Sequence, residues 1–408
     1  MKKTYTKNIQ VLIIILTILF QNCGDKSKTD HKKPIAKGQI RNDSLKITFD
    51  PKSASDKAYK IDSLFMHLYS KGIFNGNVLV SQNGRIIYKG AFGYADFGKK
   101  RPLSLNTAFQ LASVSKQFTS VAIMQLKQKG LLNYSDPVYK HVPNFPYDSS
   151  ITIRSLLTHS SGIPNYIYAL DKIYDKKNPL SNSLVVNLMG QYRPNINYLP
   201  NKKFNYNNSN YMYLAYIVEK LSGMNFRQYA QKNLFGPAGM SHTFIFDPNK
   251  SSQIAKAANG YLANKRIVPP DYLDGVVGDK GVYSTVEDLF KWDTALNTEK
   301  LLKAETLNEA FQPKLDFKNL INKNYGYGWR LQLLDDGTWL TFHTGWWHGF
   351  KNFYLHNNQD NSSIIILSNL ANSYLTNAKK VEAILYPEKA KHFIGEEEEA
   401  AEMGGTSK

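Results

Sequence analysis

A chain of 408 residues, 42% apolar and 21% charged, has room for one large domain or two lobes around a substantial core, which excludes a disordered or fibrous protein. The formal net charge of +18 overstates any basic face, because residues 1–60 alone carry 13 Lys/Arg against 5 Asp/Glu. With no nucleic-acid motif present, the scattered lysines read as a solvated surface and no nucleic-acid partner is expected.

The opening, MKKTYTKNIQVLIIILTILFQNC, pairs a basic start with an apolar run ending at Phe20, too short for a comfortable membrane span and suited to a secretory signal. Cys23, the chain's one cysteine, follows at once. The stretch resembles a bacterial lipoprotein signal over residues 1–22, with Cys23 lipidated. The expectation is an exported protein, anchored to a membrane at the periplasmic or outer face of the envelope and without an internal disulfide. Residues 23–54 are polar with little periodicity and read as a flexible tether.

From Asp56 to Lys71, Ile61, Leu64, Phe65 and Leu68 recur every three to four residues, predicting an amphipathic helix stopped at Gly72. Two strand-like runs, NVLVSQ and RIIYKGAFGY, are joined by Asn83-Gly84, the dipeptide that tolerates the positive φ of a tight hairpin. The stretch FQLASVSKQFTSVAIMQLKQKG follows. It predicts a helix with Ser113 and Lys116 one above the other on its first turn.

Residues 130–310 carry helix and turn signals without a strand-like repeat. Ser155–Gly162 predicts a helix end running into a tight loop. Tyr211–Leu221 predicts a helix capped by Gly223, and 282–296 another, with Ser284 or Thr285 near its start. Strands return in YGWRLQLL, TWLTFHTG, FKNFYLH and SSIIILSNL, an antiparallel meander, followed by a helix at 373–385 and an acidic tail over 389–408. The ordering predicts an α+β fold: one antiparallel sheet closed by both chain ends and flanked by helices, with a helical lobe inserted, the whole domain spanning 55–388.

The Ser113/Lys116 pair is the chain's single S-x-x-K. A lysine one turn from a serine can take its hydroxyl proton, and a helix N-terminus favours the resulting negative charge. Alone the spacing is a common accident. Its company is not: Tyr206 and Asn208 form the single Y-x-N, and His343-Thr344-Gly345 ends a predicted strand before the bulky Trp346-Trp347. In this order the three elements resemble the serine β-lactamase and penicillin-binding-protein superfamily, in the branch of class C β-lactamases and related esterases and D-amino-acid peptidases. LLTHSSG at 156–162, LFGPAGM at 234–240 and GVYSTVEDL at 281–289 agree with that branch.

The resemblance implies Ser113 as nucleophile, Lys116 as base with a depressed pKa, Tyr206 as proton shuttle and Asn208 as orienter of Lys116. It further implies an oxyanion hole from the N–H groups of Ser113 and Trp346, and His343, Thr344 and Gly345 as a strand flanking the substrate. His159 reads as structural. Many relatives have Lys where this chain has His343, which implies weak β-lactamase activity and favours a peptidase or esterase acting on a small-molecule or peptide substrate, such as one derived from peptidoglycan. There is no G-x-S-x-G, no H-E-x-x-H and no second ligand cluster among the nine His, so no metal and no cofactor are expected. The competing expectation is a non-catalytic surface lipoprotein that keeps the fold to bind cell-wall polymer. The sequence is silent on oligomeric state.

Overall fold

The computed structural model describes residues 49–387 apart from 317–322, 335, 336, 338 and 372–374. The expected signal, Cys23, most of the tether and the acidic tail lie outside the described residues. Asp50 caps the first helix, α1 (Pro51–Ser70), by accepting the Lys52 N–H, and Pro51 occupies the first turn, where its missing donor costs nothing. The helix therefore starts five residues before the expected Asp56, at the end of what reads as tether.

The hairpin β1 (Gly76–Gln82) and β2 (Arg85–Phe92) turns at Asn83 and Gly84, with φ of 52° and 70°. Five further strands come from the C-terminal third: β3 (Lys323–Tyr325), β4 (Arg330–Leu333), β5 (Trp339–Trp347), β6 (Phe350–Asn357) and β7 (Ser362–Ser368). The expected run YGWRLQLL, residues 327–334, holds one strand, β4, which follows a turn at Gly328 with φ +88°; β3 lies just before the run. The seven strands form one sheet in the order β2-β1-β7-β6-β5-β4-β3. Its two halves join where β1 pairs antiparallel with β7, Val78 opposite Ile366, so both chain ends close the sheet.

Alternation along β7 explains how the sheet is covered. Ile364 and Ile366 join a core with Phe65 and Leu68 of α1 and with Val381 and Leu385 of the last helix, Leu375–Leu385. Ile365 and Leu367 point to the opposite face and join the core of the helical lobe. Each such side chain taken from water contributes roughly 1.5–3 kcal/mol, and a strand apolar on both faces has to be central.

The lobe is built around α2 (Lys116–Gln128), in which ten of thirteen residues are buried. Beside it runs α3 (Asn208–Ser222), capped by the Asn207 side chain at one end and by Gly223 at the other. Helix α4 (Val286–Asn297) starts on Thr285, whose hydroxyl accepts the Asp288 N–H. Residues 282–284, expected to be helical, are instead a strand that pairs with Phe109–Gln110 and with Phe244–Ile245. Among the described residues no helix is long and apolar enough to cross a membrane.

Candidate active site

Every residue from Thr107 to Met124 is buried except Ser113. Ser113 lies on a 3-10 turn, Ala112–Ser115, that leads into α2 at Lys116, rather than on the first α-helical turn. The turn opens on Ala112 with φ +51°, a left-handed conformation that turns the chain sharply before the serine. Residues three apart eclipse in a 3-10 turn, and the Lys116 Nζ lies 3.0 Å from the Ser113 Oγ.

Lys116 is wholly buried. Its Nζ also donates to Asn208 Oδ1 at 2.9 Å and to the Asp279 carbonyl at 2.9 Å. A neutral amine has two N–H donors and one lone pair. In the neutral form, with Asn208 and Asp279 as acceptors, the lone pair is left for the Ser113 hydroxyl; in the charged form the third N–H donates to it. The Asp279 carbonyl is fixed by its neighbours: the Thr119 hydroxyl donates to the Gly278 carbonyl, and Asn182 brackets Val277 through both its N–H and C=O. Gly278 has φ +104°, and a Cβ there would come within 2.4 Å of the Ala215 Cβ, so the segment passes where only glycine fits.

The Tyr206 ring lies against this lysine, its centroid 4.7 Å from the Nζ, and it lines the same cleft as Ser113. The Tyr206–Asn208 segment is braced by His159, which accepts the Asn207 N–H on Nδ1 at 3.1 Å and packs 4.4 Å from the Tyr206 ring. Burial first, then the nearby Lys116 charge, holds His159 well below the usual imidazole range, so it stays neutral. The structural reading of His159 matches this placement.

His343 does not stand in the cleft. It is fully buried one layer behind it, 6.2 Å from the Tyr206 ring, with Nε2 3.2 Å from the Tyr325 hydroxyl and Nδ1 on the Thr344 carbonyl. Burial, with the Arg330 and Lys116 charges, holds its pKa well below the ordinary value. The donor Nδ1–H thus faces a carbonyl and Nε2 accepts from Tyr325. As placed, His343 packs behind the Tyr206 ring. Thr344 and Gly345 are buried as well. A Cβ on Gly345 would lie 2.2 Å from the Leu111 carbonyl, so this glycine is what lets β5 lie against the backbone leading to Ser113. Trp346, 37% exposed, reaches the cleft wall.

The cleft holds about 780 Å³ and is lined by Ser113, Tyr206 and Asn208 at its floor and by Tyr168, Trp346 and Trp347 on its walls. Several residues around it carry no motif. Arg330, buried at the start of β4, lies 5.1 Å from the Tyr206 ring, and no sequence signal marks it. Asp271, Asp274 and His348 have ligand atoms within 4.8 Å of one another, the one such group among the described residues. His348 is pulled up to about 9: burial opposes this, and the hydrogen bonds to Asp271 and Asp274 outweigh it. At neutral pH its Nε2 therefore carries a proton given to Asp274 and offers no lone pair to a metal.

The family model described as Beta-lactamase matches residues 61–386. This chain belongs to the serine β-lactamase and penicillin-binding-protein family. Within the family it is 35% identical over 327 residues to penicillin-binding protein 4* of Bacillus subtilis, covering 77% of this chain and 72% of that protein. It is 30% identical to protein flp of Staphylococcus aureus, covering 79% of this chain but only 64% of the relative's length. The crystal structure of a penicillin-binding protein from Bacillus halodurans superposes with a TM-score of 0.69 at 25% identity, over 79% of this chain and 98% of the other.

Proposed function

We propose that this protein is an exported serine hydrolase that cleaves an amide or ester through an acyl-enzyme on Ser113. One observation carries the reading: the buried Lys116 Nζ is held by Asn208 and Asp279 so that its remaining position faces the Ser113 hydroxyl at 3.0 Å, on the floor of an open cleft. As Ser113 Oγ bonds to the substrate carbonyl carbon, its proton passes to Lys116. The carbonyl oxygen gathers negative charge, which the N–H groups of Ser113 and Trp346 are placed to receive in this reading, each worth about 3 kcal/mol. Collapse of the adduct expels the amine or alcohol, which takes up the proton by way of Tyr206. Water then attacks the acyl carbon, gives its proton to the same phenol–amine pair, and frees Ser113 and the carboxylic acid.

The substrate class follows from the walls. Aromatic rings suit an apolar acyl or leaving group, and Asn208 can offer its NH₂ to an acyl amide. With His343 buried, β5 brings no cation to the cleft, which favours a peptidase or esterase over an efficient β-lactamase. A peptidoglycan-derived peptide, reached from a lipid anchor at Cys23, is the substrate this reading favours. The test is covalent labelling with a fluorophosphonate and a fluorescent penicillin, beside hydrolysis of p-nitrophenyl esters, acyl-amino-acid amides and nitrocefin. Labelling of wild type and not of Ser113→Ala is expected. No labelling by any probe class, with polymer binding unchanged in a Ser113/Lys116 double variant, would replace the reading with a non-catalytic binding role.

A further inference from the structure

The outer wall of the cleft is the turn after β5. Trp346 and Trp347 end the strand, His348 and Gly349 make the turn, and all four line the cleft with Ser113. His348 has φ +46°, a left-handed backbone that a residue with a side chain adopts at a cost of about 1–2 kcal/mol. The contacts holding the turn in this form come from a distant segment.

Asp274, 1% exposed, sits in a 3-10 turn, Tyr272–Gly275. Its carboxylate accepts four N–H groups. Oδ1 takes the Trp347 Nε1–H at 2.9 Å and the Gln110 Nε2–H at 3.3 Å. Oδ2 takes the His348 Nε2–H at 2.9 Å and the Asp271 N–H at 2.7 Å. Gln110 stands three residues before Ser113, on the short strand paired with Tyr283. One buried carboxylate therefore ties the strand entering the nucleophile and the turn across the cleft to a single point. A carboxylate with both oxygens doubly satisfied has no slack to give up.

The charges around it are few. Asp271 lies 3.7 Å from His348. The Lys280 Nζ lies 5.1 Å from the Trp347 ring centre, near Asp279 and the Tyr166 hydroxyl, and the Tyr283 hydroxyl shares Gln110. Burial alone would raise the Asp274 carboxyl, but the His348 and Lys280 charges and the Asp271 N–H hold it below the usual range.

We propose that Asp274 is a positioning residue for acyl transfer: it sets the turn Trp346–Gly349, and with it the Trp346 N–H, at its working distance from Ser113. The effect on rate rests on the proposed hydrolase reading; the effect on the turn does not. In the full chain, Asp274→Asn puts an NH₂ among donors and leaves His348 with Asp271, 3.7 Å away, as its remaining charged partner. Fluorophosphonate labelling should slow about 100-fold, the scale of a 1 Å misplacement, with little change in the KM for a neutral p-nitrophenyl ester. Wild-type labelling should fall on the alkaline side as His348 loses its proton near 9. In Asp274→Asn that fall should move toward the ordinary imidazole range, and the His348 C2–H resonance, assigned by its loss in His348→Gln, should titrate with it.

If Asp274→Asn does not fold, Trp347→Phe removes one donor from the same carboxylate and should give a smaller slowing, again in kcat rather than KM. Unchanged labelling and an unmoved His348 titration would overturn the proposal. So would slowing without any shift of the alkaline fall, since that is what general loosening produces. Should wild type label with no probe, the hydrolase reading falls. The His348 titration and the Trp347 indole N–H resonance would then decide the positioning role, and their indifference to Asp274→Asn would end it.

Discussion

The Lys116 Nζ touches the Ser113 hydroxyl at 3.0 Å from a fully buried position, and the two carbonyl-type oxygens that share it belong to segments 92 and 163 residues further along the chain. An amine so placed cannot be replaced by a solvated one. Lys116→Met should slow acylation by about 10²–10⁴-fold, the range of a positioned general base, while leaving far-ultraviolet circular dichroism unchanged. Lys116→Arg should not restore it, because the guanidinium is too large for the three-oxygen seat and does not give up its proton. Pre-steady-state labelling measures both.

Gly345→Ala tests the approach of β5 to the nucleophile's backbone. The added Cβ would meet the Leu111 carbonyl at 2.2 Å, and a backbone atom cannot swing aside. The strand has to move outward. Overpacking of this kind costs about 1–3 kcal/mol, and a comparable loss should appear in urea titration. Labelling should fall further than the stability loss explains, since the displaced strand carries Trp346.

Much of the scaffold was legible because its signals are local. Asn83-Gly84 announces the hairpin by its tolerance of positive φ, Gly223 ends α3 for the same reason, and the Ile364–Leu367 run of β7 marks a strand apolar on both faces. The strand Val282–Ser284 was hidden because three residues carry no periodicity. Ser113, Lys116, Tyr206 and Asn208 were found by order of motifs, and the folded chain brings all four to one place. His343 is buried beside Tyr325 and Tyr206, a placement the motif does not give, because the side of a strand a residue faces follows from register and from what packs behind it. Asp274, Arg330 and His348 had no motif; each matters through partners dozens of residues away.

A second buried grouping predicts how stability responds to pH. His356 Nδ1 lies 3.0 Å from Asp293 of α4, whose carboxylate also accepts from the Tyr354 hydroxyl at 2.6 Å and from Ser363. The trio of Ser363, His356 and Asp293 is sealed in the interior, each at most 4% exposed, and its hydroxyl serves the aspartate, so it joins helix to sheet and has no access to substrate. Burial works against the imidazolium, yet the Asp293 charge and hydrogen bond raise the His356 pKa above its usual value. A raised histidine contributes its stability below the unfolded pKa, about 6.5, and loses it as pH rises through the folded value. The gap in unfolding free energy between wild type and His356→Asn should therefore narrow as pH rises above about 6.5. Asp293→Ala should cost about 3–5 kcal/mol at neutral pH, since it strands a buried charge.

Glu382 predicts the opposite kind of substitution, one that stabilises. It lies on Leu375–Leu385, 3% exposed, with Oε1 out of reach of any hydrogen-bond donor among the described residues. Burial raises its pKa to about 9, against a weak contrary pull from Lys379. The folded protein then keeps this proton while the unfolded chain gives it up, so stability drains away between the ordinary carboxyl value near 4.3 and the folded value. Glu382→Met fills the same space beside Val381 and Leu385 with nothing to ionise. Melting curves should show the variant equal to wild type near pH 4 and ahead by about 1–3 kcal/mol at pH 7.5, a sum held below the full shift because partial hydration relieves it. An advantage that does not grow with pH would mean that the carboxyl finds water or a partner in solution, and that its burial is not what limits the fold.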